Sequence, residues 1–483
     1  MTEGALKDKT ASGLFWGGLS NGLVQLISIL FGIVIARLLS PEEFGVVGVL
    51  TIFSAVATSL QESGFTAALI NRKQVDGRDY NSVFWFNVLI GLSLYLVLFF
   101  SAPAIARFFH NPNLVRLSRF AFLGFLIGSF GTAQTAYLTK TLRIKYIALA
   151  SIISVFLAGC VAVVLAMKGF SYWGIAIQNV TAVTINTLLL WLFSDWKPSL
   201  KWNLAPAAGM FGFSVKMMIT NVFAIVGNYF FSVIFGRFHT ERTVGLYNQA
   251  NKWNAAGYSV INGMVASVAQ PVLVEAKDSS ERQVRVLRKL IRFTAFVSFP
   301  LMFGLSLIAP EFIVIAVTEK WAESGHLLRI LCIGGAFYPL TSVQVRLILS
   351  HGGSGIVMWN NIAILLVQLA VCVATFRLGI TAMVVAYTVV NVLWVFIWHH
   401  FVRRRTAYSY AAFLKDLLPY AGISLAVMAI TYFVTQPITN IYWLCGSRIL
   451  IAVLLYVAVM SLSGSVIFKE SLLFLIGRLK REQ

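Results

Sequence analysis

Amides, phenols and cations recur at helical spacing inside a chain that otherwise reads as hydrocarbon. Tyr247, Asn251, Asn254, Tyr258 and Asn262 follow one another at steps of three and four, so on a helix they share one face. Asn248, Lys252 and Ser259 lie beside that face. Ser214, Asn221 and Asn228 recur two turns apart, Asn21 and Gln25 are joined by Ser28 and Gly32, and Thr51, Thr58, Glu62 and Thr66 form a fourth stripe. Polar groups in a bilayer are costly unless they pair or face water. Two readings follow. Isolated Asn or Thr residues suit hydrogen bonds between helices, each contributing about 0.6–2 kcal/mol. The stripe from Tyr247 to Asn262 suits the wall of a water-filled cavity, where amides and hydroxyls hydrogen-bond sugar hydroxyls and tyrosine rings stack on sugar faces.

Cations inside apolar stretches carry a second chemistry. Lys216, Lys252, Arg329 and Arg346 either snorkel to the interface or bind phosphate and pyrophosphate, which cations hold well. Arg119 and Arg329 occupy equivalent places in an internal repeat, which makes them candidates for a shared role or for structural ties. Glu62 is the one acid placed within a span. It either pairs locally with Arg72 and Lys73 or couples transport to an ion. No catalytic constellation appears. None of the six histidines has a carboxylate or cysteine at ligand spacing, and Cys160, Cys332, Cys372 and Cys445 sit far apart in apolar runs. No phosphate-cradling glycine loop with a lysine is present. No metal and no cofactor is expected.

The elements that must position these groups are fourteen apolar segments, each long enough to cross a bilayer. They cover 14–36, 44–66, 82–103, 120–139, 146–167, 170–194, 209–236, 245–273, 291–317, 325–349, 356–376, 380–401, 417–435 and 447–468. Without water to satisfy the backbone they must be helices, so the fold class is an all-α polytopic membrane protein. Composition agrees, with 58% hydrophobic and 12% charged residues. The net charge of +20 gathers at one side of the predicted membrane, notably from Lys277 to Arg292 and at Arg403–Arg405. That is the positive-inside bias, with both termini cytoplasmic, and it argues for anionic lipid and against nucleic acid. The first span reads as a retained signal anchor. The loops are too short for a soluble domain.

A repeat is visible at an offset of 200 residues. Asn21, Ser28, Arg37 and Gly45 match Asn221, Asn228, Arg237 and Gly245, and further on Arg119 with Gly124 matches Arg329 with Gly334. Six helices per half insert with the same orientation, which predicts parallel repeats. The expected organisation is a lobe at 1–200, a second at 201–405, and two accessory helices with a tail at 406–483, the lobes enclosing a central cavity.

Several segments resemble the multidrug/oligosaccharidyl-lipid/polysaccharide exporter superfamily, and within it the polysaccharide transporter family of Wzx-type flippases. The resemblance rests on A-R-L-L-S-P-E-E-F-G (36–45), G-F-T-A-A-L-I-N-R-K (64–73), L-R-I-K-Y-I-A-L (142–149), I-F-G-R-F (234–238) and V-G-L-Y-N-Q-A-N-K (244–252). A-P-E-F-I-V-I (309–315) and W-A-E-S-G-H-L-L-R-I-L (321–331) extend it. It implies two six-helix lobes around a V-shaped cavity. It also implies export of undecaprenyl-pyrophosphate-linked oligosaccharide across the bacterial inner membrane, with Arg37, Pro41, Lys252 and Arg329 as carried-over positions. Relatives often carry an aspartate before the I-F-G-R segment; here 228–232 read N-Y-F-F-S. The function expected is alternating-access flipping of a lipid-linked oligosaccharide, without catalysis. The bilayer is an expected partner, and polysaccharide polymerase and chain-length machinery are candidates. A cation-coupled multidrug exporter of the same architecture is the alternative, followed by a glycan polymerase or ligase and an assembly scaffold.

Overall fold

The structure, a computed structural model, describes residues 3–62, 69, 75–200, 225, 227, 229, 231–276, 279–465 and 467–470, with the backbone only for 3–15, 60–62, 266–268, 270 and 271. Among them there is no strand, and twelve helices are long and apolar enough to cross a membrane. The expected seventh span lies largely outside the described residues. The expected eighth is present as a helix, Glu241–Glu275, of which 266–268, 270 and 271 are described by their backbone only. The chain forms two compact units, Met1–Gly245 and Leu246–Gln483.

In the first unit the helices are α1 (Glu3–Leu38), α2 (Pro41–Gly48), α3 (Thr51–Glu62), α4 (Gly77–Phe108), α5 (Leu114–Ala121), α6 (Leu123–Ser129), α7 (Thr132–Lys140), α8 (Ile144–Met167) and α9 (Tyr172–Phe193). Ser40 starts α2 with a capping box, its hydroxyl accepting from Glu43 N–H while Glu43 accepts from Ser40 N–H. Asp76 does the same for α4 with Asp79. Lipid supplies no hydrophobic drive between helices, so association depends on close packing of small residues. Helix α8 presents Ala150, Ala158, Gly159 and Ala162 among its buried residues, and it packs along α1. A Cβ on Gly159 would lie 2.3 Å from the Phe31 ring of α1, so the approach requires glycine there.

In the second unit the helices are α10 (Glu241–Glu275, begun in the first unit), α11 (Ser280–Val317), α12 (Ala322–Gly335), α13 (Tyr338–Ser350), α14 (Ser354–Thr375), α15 (Ile380–Arg403), α16 (Tyr410–Thr435) and α17 (Ile441–Leu462). Helix α11 packs against α12, α13, α16 and α17. Its 38 residues reach about 57 Å. That exceeds the roughly 30 Å hydrocarbon core, so its basic first turns project beyond the apolar zone. Arg448 of α17 binds Glu311 of α11 at 2.7 Å, with side chains only 5% and 14% exposed. The same guanidinium donates to Thr435 Oγ1 and the Leu307 carbonyl. Glu311 lies inside the apolar length of α11. This corrects the expectation that Glu62 is the only acid within a span.

Repeat-related segments meet inside the first unit. A Cβ on Gly45 would lie 1.8 Å from the Glu241 carbonyl oxygen, and one on Gly245 would lie 1.9 Å from that of Pro41. Since Gly245 and Glu241 are the offset-200 partners of Gly45 and Pro41, the two contacts are reciprocal. Glu42 and Arg242, another offset-200 pair, form a 3.0 Å ion pair beside them. The repeat is therefore expressed as a local two-fold crossing of backbones.

Candidate functional site

Residues at steps of three and four on α10 stay on one side because each residue turns the helix by about 100°. In the second unit that side packs against α12, α13 and α15. Tyr247 and Asn254 are buried, while Asn251, Tyr258 and Asn262 are half-buried. The Tyr258 ring lies 4.4 Å from that of Tyr338 on α13. Tyr247 is within electrostatic reach of Tyr387 on α15, and Tyr387 of Tyr338. Asn254 lies over Gly335 of α12, where a Cβ would sit 2.3 Å from its Oδ1. The buried Asn254 Oδ1 and Asn262 Oδ1 have no hydrogen-bond partner among the described residues. The arrangement is a cluster of phenols and amides in which the buried amide oxygens of Asn254 and Asn262 carry surplus hydrogen-bonding capacity, the chemistry that suits a polyhydroxylated head group.

Lys252 does not belong to that face. It stands two residues from Asn254, about 200° around the helix, and is exposed together with Ser259, Gly263 and Met264. Among the described residues it forms no ion pair. Arg329 is half-buried on α12, and its carbonyl accepts from Ser306 Oγ at 2.7 Å.

The first unit places its candidates differently. Asn21 and Gln25 are exposed on α1, and the same helix exposes Leu26 and Leu30. Arg119, half-buried on α5, donates from Nε to the Phe99 carbonyl at 3.4 Å, with its guanidinium 4.2 Å from the centre of the Phe99 ring. The reason lies four residues on, at Pro103, which has no N–H to offer that carbonyl. Arg119 is thus a tie across the kink of α4. In the second unit Pro310 of α11 leaves the carbonyl of Ser306 without its helical N–H, and the Ser306 hydroxyl donates to the Arg329 backbone carbonyl. Lys216, Asn221 and Asn228 lie outside the described residues. Glu62 ends α3, and its side chain is likewise outside them.

Reading the sequence alone missed Tyr338, Tyr387 and the Gln368–Asn391 pair, in which Gln368 Nε2 donates to Asn391 Oδ1 at 3.3 Å. Each sits on a different helix from the stripe, so spacing could not link them; membrane-embedded tyrosine and glutamine were the signal available. No group of three or more His, Cys, Asp or Glu able to hold a metal occurs among the described residues.

Twelve spanning-capable helices among the described residues define a multi-pass membrane protein. The chain belongs to the family described as polysaccharide biosynthesis protein, which it matches over residues 34–326. It is 24% identical over 386 residues to the teichuronic acid biosynthesis protein TuaB of Bacillus subtilis, covering 79% of this chain and 80% of that protein. It is 25% identical over 326 residues to the succinoglycan biosynthesis transport protein ExoT of Rhizobium meliloti, covering 68% and 66%. Among solved structures, the lipid II flippase MurJ in an inward closed conformation matches with a TM-score of 0.77 at 15% identity, over 93% of this chain and 98% of that one. At that identity the likeness is one of fold.

Proposed function

We propose that the protein moves a polyprenyl-pyrophosphate-linked oligosaccharide across the bacterial inner membrane by alternating access. The observation that carries this reading is α10. It is a 35-residue helix that carries Tyr247, Asn251, Asn254, Tyr258 and Asn262 on one face, and the buried amide oxygens of Asn254 and Asn262 have no hydrogen-bond partner among the described residues. Family membership and the fold shared with a flippase support the direction of the reading. In the proposed cycle the repeat halves, 1–200 and 201–405, rock about the bound head group, with the helices of 406–483 outside that core. The phenol–amide cluster replaces the hydration of the sugar. Lys252, exposed on the other side of α10, and Arg329 neutralise the pyrophosphate, while the polyprenyl chain stays in lipid. Asn21 and Gln25 on α1, with Lys216, Asn221 and Asn228, extend the polar wall. No covalent step is required, so the protein is not an enzyme. A multidrug exporter of the same architecture would need a titrating carboxylate; Glu311 is matched by Arg448, so Glu62 is its candidate, and full function in Glu62→Gln would argue against that exporter.

The test is reconstitution in proteoliposomes with a fluorescent polyprenyl-pyrophosphate glycan, its leaflet scored by a membrane-impermeant glycosidase. The intact protein is expected to move the glycan between leaflets. Loss of one charge-assisted contact costs about 1.5–3 kcal/mol, so Lys252→Ala is expected to slow transport roughly tenfold to a hundredfold. Arg329→Ala is expected to do the same, with protein yield unchanged. Full activity in both variants would remove the two cations from the site, and no movement by the intact protein would end the flippase reading.

A further inference from the structure

The basic end of the second unit encloses a cavity that the proposed export cycle does not use. It measures about 490 Å³ and is walled by the first turns of α11 and α16 and by the chain just past α17. Arg285, Arg288, Lys289 and Arg292 stand at steps of three and four and line it from one face of α11, and Lys415 joins them from α16. Against these five cations stand two carboxylates, Asp416 and Glu470. Both are already matched. Asp416 is 1% exposed, receives Arg288 Nε at 2.7 Å and Nη2 at 3.0 Å, and is held by Arg292 at 2.5 Å. The Tyr408 hydroxyl donates to it at 2.8 Å. Burial and the adjacent carboxylate push that phenol's pKa up, so it remains a donor. Lys289 binds Glu470 at 2.6 Å. Arg285 and Lys415 are left over: both are exposed, and neither pairs with a carboxylate among the described residues.

We infer that this cavity binds the phosphate of an anionic glycerophospholipid drawn from the surrounding bilayer. The shared chemistry is a phosphate anion, and two further features select a lipid as its source. The lining includes apolar Pro419, Tyr420, Ile423 and Met460, and Leu418 beside them on α16 is 57% exposed. On α11, charge stops at Arg292 and does not resume until Glu311, so the cavity lies where head groups give way to hydrocarbon. An amphiphile satisfies both parts at once: its phosphate meets Arg285 and Lys415, and its first methylenes cover the apolar lining. The inference is independent of the export reading.

Native mass spectrometry of the full chain in detergent tests it, with phosphatidylglycerol, phosphatidylcholine and inorganic phosphate as probes. Phosphatidylglycerol is expected to be retained and phosphatidylcholine lost. Each basic side chain near the head group contributes roughly fivefold, so Arg285→Gln/Lys415→Gln is expected to weaken phosphatidylglycerol binding about thirtyfold, and the exposed single variant Lys415→Gln about fivefold. Arg403→Gln/Arg404→Gln removes the same charge outside the cavity and is expected to leave binding intact. Circular dichroism and gel filtration confirm that each variant is folded. Equal losses in the two double variants would overturn the inference, since general surface attraction would then suffice. Equal retention of both lipids, or full displacement by millimolar inorganic phosphate, would overturn it too.

Discussion

Gly45→Val is expected to destabilise the protein by about 3 kcal/mol or more, the upper end of the cost of overpacking, and to sharply reduce its accumulation in the membrane. The first added atom would lie 1.8 Å from the carbonyl oxygen of Glu241. That neighbour is backbone, tied by its own helix and beside the Glu42–Arg242 ion pair, so it cannot rotate aside as a side chain would. Gly245→Val meets the Pro41 carbonyl in the reciprocal place and is expected to behave alike. Gly22→Ala on α1 is the control, because a Cβ there meets nothing within 4 Å. It is expected to be neutral or stabilising by up to about 1 kcal/mol, the helix-propensity difference. Thermal unfolding of purified protein in detergent, with membrane yield, reads all three. A Gly45→Val protein as stable as Gly22→Ala would show that the backbones do not cross so closely.

Arg448→Leu is expected to cost about 3–5 kcal/mol, because removing one partner of a buried pair leaves the other uncompensated. Glu311 would remain 14% exposed among α11 and α17 with no cation beside it. The donors to Thr435 and the Leu307 carbonyl would go with it, loosening α16 and α17 against α11. Replacing both charges, in Glu311→Leu/Arg448→Leu, is expected to recover most of the loss, since apolar replacements of buried pairs are often neutral. Thermal unfolding of the two variants decides. If the single and double variants were equally unstable, the destabilisation would come from lost packing and not from the stranded carboxylate.

The helical, multi-pass class was legible because lipid removes every alternative for an apolar run of this length. The repeat was legible as well, down to Gly45 and Gly245, because close backbone approach admits only glycine. What the sequence could not show was anything joining separate helices. Glu311 was overlooked because one charge barely dents a long apolar segment, and Arg448 stands far along the chain. Tyr338 and Tyr387 complete the phenol cluster from α13 and α15, where helical periodicity within α10 is silent. Lys252 was placed beside the stripe on spacing alone, but the fold turns it to the exposed side. Arg119 showed a repeat match without its reason, which is the carbonyl freed by Pro103. The breaks that divide residues 114–140 into α5, α6 and α7 were hidden for a related reason: interrupted helices are tolerated when buried in protein, and burial is tertiary.

The most direct test of the flippase account is the leaflet on which lipid-linked oligosaccharide accumulates in bacteria deleted for this gene. A lectin or glycosidase confined to the outer side of the inner membrane reads it. The account predicts that the glycan lipid collects on the cytoplasmic leaflet, inaccessible to the probe, and that restoring the intact gene releases it. Normal translocation in the deleted strain, or unpolymerised glycan lipid already on the outer leaflet, would contradict it.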